Sequence, residues 1–219
     1  MIFRMKPEYG SYCDLNRAKK LCRSCPIFQD YGKVVLSDGC EKPKVLIIGE
    51  CPGKDEVVAG MPFVGKAGKL LRPILNKLGF RKTNALITNV IPCRPKDNQF
   101  PNDEDLVTSC MQRWLFQEIV LTKPDYILLL GATPTHHLLG LKGITKIRGV
   151  WVALPFWLDL GKNIMCMPTL HPSYVLRKEN MEGGDVVKAQ FESDIRSVAE
   201  KAGFWKPEEA VYPQTVPSV

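Results

Sequence analysis

Four short apolar runs, separated by stretches with helical spacing, limit what this chain can fold into more than any other feature. The runs are Lys44–Ile48 (KVLII), Ala85–Thr88 (ALIT), Tyr126–Leu130 (YILLL) and Ile164–Met167 (IMCM). Each reads as a buried strand. Helical patterns fill the intervals at Gly68–Leu78, Asp103–Leu121 and Thr133–Leu139, and another follows the last run at about Val186–Ala202. Pro101-Asn102 and an acidic first turn mark the start of the second. Strands alternating with helices imply βα crossovers and a parallel sheet. The 219 residues suffice for one such domain with a substantial core. The expectation is an α/β fold: a single three-layer α/β/α domain over residues 1–205 with a central four-stranded parallel sheet. Residues 1–43 read as an irregular, cysteine-bearing segment. Residues 206–219, with three prolines, read as a loose tail.

In open α/β sheets the ligand crevice lies beyond the carboxyl ends of the strands. The segments expected there are 49–65, Asn89–Pro95, Gly131–Thr135 and Leu170–Arg177. Glu50, Glu56, Phe63, Asn89 and His171 all fall on that edge, and together they make a candidate site. No Gly-x-Gly-x-x-Gly or Walker-type sequence follows any strand, which argues against a nucleotide-dependent enzyme of small molecules.

Eight cysteines carry a second signal. Cys22-x-x-Cys25 forms one close pair, and Cys93 with Cys110 would complete a set of four. Soft thiolates select zinc or iron–sulfur centres, and spacing alone leaves both open. Cys13 and Cys40 lack a close partner of this kind, and Cys166 falls in a buried strand. The net charge of +7 is compatible with a polyanionic partner. No apolar run approaches the roughly 18 residues of a membrane span, so no membrane association is expected. The first residues lack the apolar stretch of a secretory signal. A reducing cytoplasm, associated with the nucleoid, is the expected setting, where thiols ligate metals rather than pair as disulfides.

Several ordered motifs resemble the family 4, iron–sulfur class of uracil-DNA glycosylases within the uracil-DNA glycosylase superfamily. These are Gly49-Glu-Cys-Pro-Gly-Lys-Asp-Glu56 with Gly60–Gly68, then Thr88-Asn89-Val90-Ile91-Pro92-Cys93-Arg94-Pro95, then His171–Arg177 (HPSYVLR). Cys22, Cys25, Cys93 and Cys110 match the family's cluster ligands in order and approximate spacing. The resemblance runs from about Cys22 to Ser197. It implies a [4Fe–4S] cluster rather than zinc, clipping the N-terminal segment to the fold. It also implies a monofunctional DNA repair enzyme that hydrolyses the N-glycosidic bond of uracil and leaves an abasic site.

By that resemblance Phe63 stacks on a uracil flipped out of the duplex. Asn89 reads its O4 and N3–H, and His171 hydrogen-bonds O2 to stabilise the departing anion. Glu50 is the first candidate, and Glu56 the second, for steadying the sugar cation or orienting water. The backbone at Cys51–Gly53 would cradle uracil or phosphate. Tyr174, Val175 and Leu176 would wedge into the minor groove, with Arg177 and Lys178 on phosphates. Lys66, Lys69, Arg94, Lys96, Lys146 and Arg148 would add salt-dependent contacts.

Two departures from the family pattern stand out: Cys51 where a small residue is usual, and Val57-Val58 where polar residues are usual. The stretch Gly140–Val150 lacks the basic, histidine-bearing insertion of the subgroup that crosslinks to DNA. The partner implied is uracil-containing DNA, bound by a monomer, with repair or replication proteins as further contacts. The competing reading is a non-catalytic DNA-binding module of the same fold within a replication or repair assembly.

Overall fold

The computed structural model describes residues 6–155 and 161–206. The expected tail, beyond Lys206 itself, lies outside the described residues. In chain order the elements are α1 (Tyr12–Lys20), α2 (Pro26–Tyr31), β1 (Asp38–Gly39), β2 (Val45–Gly49), α3 (Lys54–Ala59), α4 (Lys66–Lys77), β3 (Ala85–Asn89), α5 (Glu104–Arg113), α6 (Leu115–Thr122), β4 (Tyr126–Leu130), α7 (Ala132–Leu139), α8 (Ile144–Ile147), β5 (Val152–Ala153), β6 (Met165–Thr169), α9 (Pro172–Lys178) and α10 (Gly184–Lys201). Among the described residues no helix is long and apolar enough to cross a membrane.

The four apolar runs become β2, β3, β4 and β6, and they pair in parallel in the order β3-β2-β4-β6. Alternate residues of each strand enter opposite cores. Leu46, Ile48, Leu86, Ile127 and Leu129 pack on one face with residues of α1, α5 and α6. Val45, Ile47, Ile87, Leu128 and Leu130 pack on the other with α4, α9 and α10. Burial on both faces is why these strands are apolar without alternation.

The expectation of a four-stranded, wholly parallel sheet needs correction. The sheet has six strands and is mixed: β1 adds antiparallel to β3, and β5 adds antiparallel to β6. Each edge strand is only two residues long; β1 is an Asp-Gly pair with no apolar signature, whereas β5 falls within the apolar stretch Val150–Pro155, which the expectation of four strands did not include. Short edges also offer little to an incoming strand.

Residues 1–43 are not irregular throughout. Ser11 caps α1 by accepting the Asp14 N–H at 3.1 Å, and Pro26 occupies the first turn of α2. The single helix expected over Asp103–Leu121 is two helices. Trp114, at φ −121° and ψ −64°, breaks the run between α5 and α6. Its ring is buried and stacks on Tyr9 with centroids 6.2 Å apart, so a tertiary contact rather than a Gly or Pro sets the break.

A buried polar network pins α1 to the sheet. Glu118 of α6 is fully buried and accepts from Thr88 Oγ1 (2.8 Å), Tyr12 Oη (3.0 Å), Lys19 Nζ (3.4 Å) and Ser37 Oγ. A lone buried carboxylate would be very costly, and four donors make it tolerable.

Candidate active site

The strand order changes direction at β2, with β3 on one side and β4 on the other, so a crevice opens at the carboxyl ends. Gly49 ends β2 directly opposite Asn89, the end of β3. A Cβ on Gly49 would lie 2.5 Å from both Asn89 Oδ1 and Phe63 Cζ. The missing side chain therefore lets the amide and the ring converge over the strand end.

The loop from 50 to 65 is held from within. The buried Glu56 carboxylate accepts the backbone N–H groups of Gly53 (3.0 Å), Val64 (3.1 Å) and Gly65 (2.8 Å), tying the loop's two ends together. Phe63 sits in the left-handed region at φ 53°, a conformation that costs a non-glycine residue roughly 1–2 kcal/mol. Arg72 of α4 holds it there. Its Nε donates to the Phe63 carbonyl (2.8 Å), and its terminal nitrogen donates to the Pro62 carbonyl (2.7 Å) and to Asp38 (2.9 Å).

The opposite wall comes from β4 and β6. Thr133, in the first turn of α7, donates to Glu50 Oε2 at 2.5 Å. His171 caps α9, and its Nδ1 accepts the Ser173 N–H at 3.1 Å. A nitrogen that accepts carries no proton, so this contact assigns the proton of the neutral ring to Nε2. Burial, aided by the Arg177 charge, lowers the His171 pKa to about 4, so the ring is neutral at pH 7. Its centroid lies 6.1 Å from that of Phe63.

These walls enclose a cavity of about 240 Å³ lined by Glu50, Cys51, Gly53, Glu56, Phe63, Asn89 and His171. Every catalytic or substrate-binding candidate read from the sequence thus meets in one place. Among the described residues the buried Asn89 Oδ1 has no hydrogen-bond partner. An unpaired acceptor so placed calls for a donor from a ligand. A neighbouring groove of about 420 Å³ shares Glu50, Asn98, His171 and Ser173 and extends to Tyr174 and Arg177. Burial first, and then the nearby Glu50, push the Cys51 thiol well up, so it stays protonated, with its sulfur 3.9 Å from Glu50 Oε1.

Some expectations are corrected. Val175 is 2 % exposed within the core, so it cannot wedge into DNA; in α9 it points away from its neighbours, as residues one apart on a helix do. Tyr174 is partly buried, with the Lys178 ammonium 6.0 Å from its ring centre, and Leu176 is half-buried while Arg177 is exposed. Arg148 forms a bidentate pair with the buried Asp194, which Thr169 also contacts at 2.6 Å, so it braces β6 and α10. Lys66, Lys69, Lys96 and Lys146 are exposed, whereas Arg94 is half-buried.

Sequence reasoning missed Thr133, Ser173, Asn98 and Arg72. Asn98 had a weak signal: asparagine tolerates the left-handed conformation it adopts here, at φ 59°. Arg72 had none, because nothing local says that its guanidinium reaches back to residues 62 and 63.

The four nominated cysteines come from separate segments: Cys22 just after α1, Cys25 capping α2, Cys93 beyond β3 and Cys110 in α5. They gather against one side of the first core. Burial, with Cys25 and Cys22 nearby, pushes the Cys93 thiol up to about 12; burial, with Cys93 and Cys25, does the same to Cys110. Among the described residues no three ligating side chains converge tightly enough to hold one metal ion. Arg113 donates to Ser24 Oγ at 2.7 Å, tying α5 to the Cys22–Cys25 turn. Cys166 is buried in β6, as expected of a core residue.

Comparison with known proteins agrees with this geometry. The profile of the uracil DNA glycosylase superfamily matches residues 36–195. The type-4 uracil-DNA glycosylase of Thermotoga maritima is 36% identical over 189 residues, covering 85% of this chain and 93% of that protein. The type-4 enzyme of Archaeoglobus fulgidus is 31% identical over 199 residues, covering 89% and 94%. That of Pyrobaculum aerophilum is 36% identical over 183 residues, covering 83% and 89%. With its motifs on one sheet edge and these relatives matched over most of its length, the chain belongs to the uracil DNA glycosylase superfamily, among the type-4 uracil-DNA glycosylases.

Proposed function

We propose that this protein hydrolyses the N-glycosidic bond of uracil in DNA and leaves an abasic site, as a monofunctional base-excision repair enzyme. The observation that carries the reading is the unpaired, buried Oδ1 of Asn89, a residue lining a cavity walled by an aromatic ring and a neutral imidazole. Uracil offers N3–H to that oxygen and O4 to the amide N–H. Cytosine presents an acceptor and a donor in the reverse places, so two polar groups would be left unpaired on its burial. Phe63 supplies a face for the extruded base.

Bond cleavage places negative charge on the base and positive charge on the sugar. His171, held neutral with its proton on Nε2, donates to O2 as charge builds there, and its desolvated setting strengthens that bond. Glu50, on the boundary between the cavity and the groove, steadies the sugar cation and orients the attacking water. Glu56 is assigned to the loop rather than to the water, because three backbone N–H groups already occupy it. The turn Cys51–Gly53 forms the pocket floor. Arg177, Leu176 and Tyr174 line or flank the groove along which the DNA strand would run.

Cys22, Cys25, Cys93 and Cys110 would hold a [4Fe–4S] cluster. One tetrahedral zinc would draw all four sulfurs to within about 2.3 Å of a single point, whereas a polynuclear cluster takes one thiolate per iron and suits a more open set. Bound there, the cluster fixes the N-terminal segment and the 93–110 stretch to the domain. No step of excision passes through it.

The test is cleavage of a labelled uracil-containing oligonucleotide, followed by alkali, with protein purified without air. Scission at uracil that falls strongly in His171→Ala supports the assignment. Tight DNA binding without scission would turn it toward a non-catalytic module.

A further inference from the structure

The cavity contains a contact that the proposed chemistry leaves unexplained. Glu50 is approached by two donors from two different loops, one on each carboxylate oxygen. Thr133 Oγ1 lies 2.5 Å from Oε2, and Cys51 Sγ lies 3.9 Å from Oε1. Thr133 belongs to the first turn after β4, and Cys51 to the turn after β2. A carboxylate only accepts, so the hydroxyl must donate. The thiol, kept protonated by its burial beside Glu50, can donate as well.

The geometry points to Thr133 and Cys51 as positioning residues for Glu50, a two-point brace that fixes which edge of the carboxylate faces the reacting sugar. This rests on the reading of Glu50 as a participant in excision. The terminal torsion of a glutamate is broad, and a half-exposed one samples many orientations. One donor on each oxygen removes that freedom and still leaves acceptor capacity for a water. The hydroxyl is the stronger donor and does most of the holding; the thiol contributes less. The brace also gives Cys51 a role beyond narrowing the pocket. Because its thiol is protonated and partly covered, it is placed as a donor rather than as a nucleophile.

The experiment is single-turnover excision of uracil from a labelled oligonucleotide, using the full chain purified without air. Thr133→Val keeps the shape and removes the hydroxyl. Its rate should fall by about tenfold to a hundredfold, with half-saturation by DNA unchanged, since a small misplacement of a reacting group is enough for such a loss. Thr133→Ser should restore the rate. Cys51→Ala should cost only about two- to fivefold, as a weak hydrogen bond would.

Thr133→Val with wild-type rate, beside an inactive Glu50→Gln, would overturn the brace and leave the role of Glu50 intact. Glu50→Gln at wild-type rate would remove that role, and the brace with it. A readout independent of turnover is the carboxyl carbon-13 resonance of Glu50, assigned by its loss in Glu50→Gln. It should move in Thr133→Val and return in Thr133→Ser, in variants whose thermal midpoints match wild type. A resonance that stays in place overturns the proposal.

Discussion

At the scale of single residues, Asn89 and His171 make opposite demands on protons. In the proposed reading Asn89 discriminates by offering one acceptor and one donor in a fixed order. Asn89→Asp replaces the donor with a second acceptor that faces O4. The expected result is a loss of uracil excision of at least about a hundredfold, measured as the ratio of cleavage at uracil to cleavage at cytosine. His171 titrates lower in the folded chain, at about 4, than in the unfolded chain, at about 6.5. Between those values the unfolded chain binds the extra proton. The contribution of His171 is therefore whole above about pH 6.5 and is lost as pH falls toward 4, amounting to about 3 kcal/mol at most. Denaturant melts from pH 7 to 4 should show this slope in wild type, and His171→Asn should flatten it. The residues that line the cavity were legible in the sequence, because an asparagine, histidine or phenylalanine after a buried strand is itself the signal. Thr133 was not, because a threonine early in a helix looks like ordinary helix-start chemistry until the fold brings Glu50 to it.

At the scale of elements, the packing of α4 against the 62–63 turn decides the shape of the pocket. A Cβ on Gly68 would come within 1.8 Å of the Phe63 carbonyl oxygen. Gly68→Ala must therefore push either the helix or the aromatic wall aside. A loss of about 1–3 kcal/mol is expected in chemical denaturation, with weaker substrate saturation. Arg72→Met should release the same turn without a clash, and raise the DNA concentration for half-saturation more than it lowers the thermal midpoint. The four buried strands could be read almost residue by residue, since burial on both faces makes them uniformly apolar. The helices were less legible. Ser11 and Pro26 are start signals of α1 and α2, with little apolar periodicity behind them. The break at Trp114 follows from its stacking on Tyr9, which no local pattern announces.

For the molecule as a whole, a buried ion pair fastens the N-terminal segment, and the proposed cluster would be a second tie that can be removed separately. Lys19 and Glu118, both essentially buried, form an ion pair at 3.4 Å. Lys19→Met leaves the carboxylate without its countercharge and should destabilise the protein by about 3–5 kcal/mol in urea unfolding. Cys110→Ser should abolish the cluster signature, from about four irons per chain to fewer, and lower the thermal midpoint. One zinc per chain in the wild type would instead refute the iron–sulfur assignment. The parallel centre of the sheet was legible from four apolar runs; of its antiparallel margins, β1 is an Asp-Gly pair without a composition of its own, while β5 lay within the apolar stretch Val150–Pro155 and could have been read.

The position of β2 between β3 and β4 has a consequence for how activity is acquired during folding. The pocket draws Glu50 and Phe63 from beyond β2, Asn89 from β3, and Thr133 and His171 from beyond β4 and β6. No fragment shorter than Glu50–His171 holds both its floor and its far wall. A nascent or partly unfolded molecule would thus bury much of its core before it could close on a base. Competence to excise a base would appear only with the last crossover in place, so excision itself reports on the completeness of the sheet.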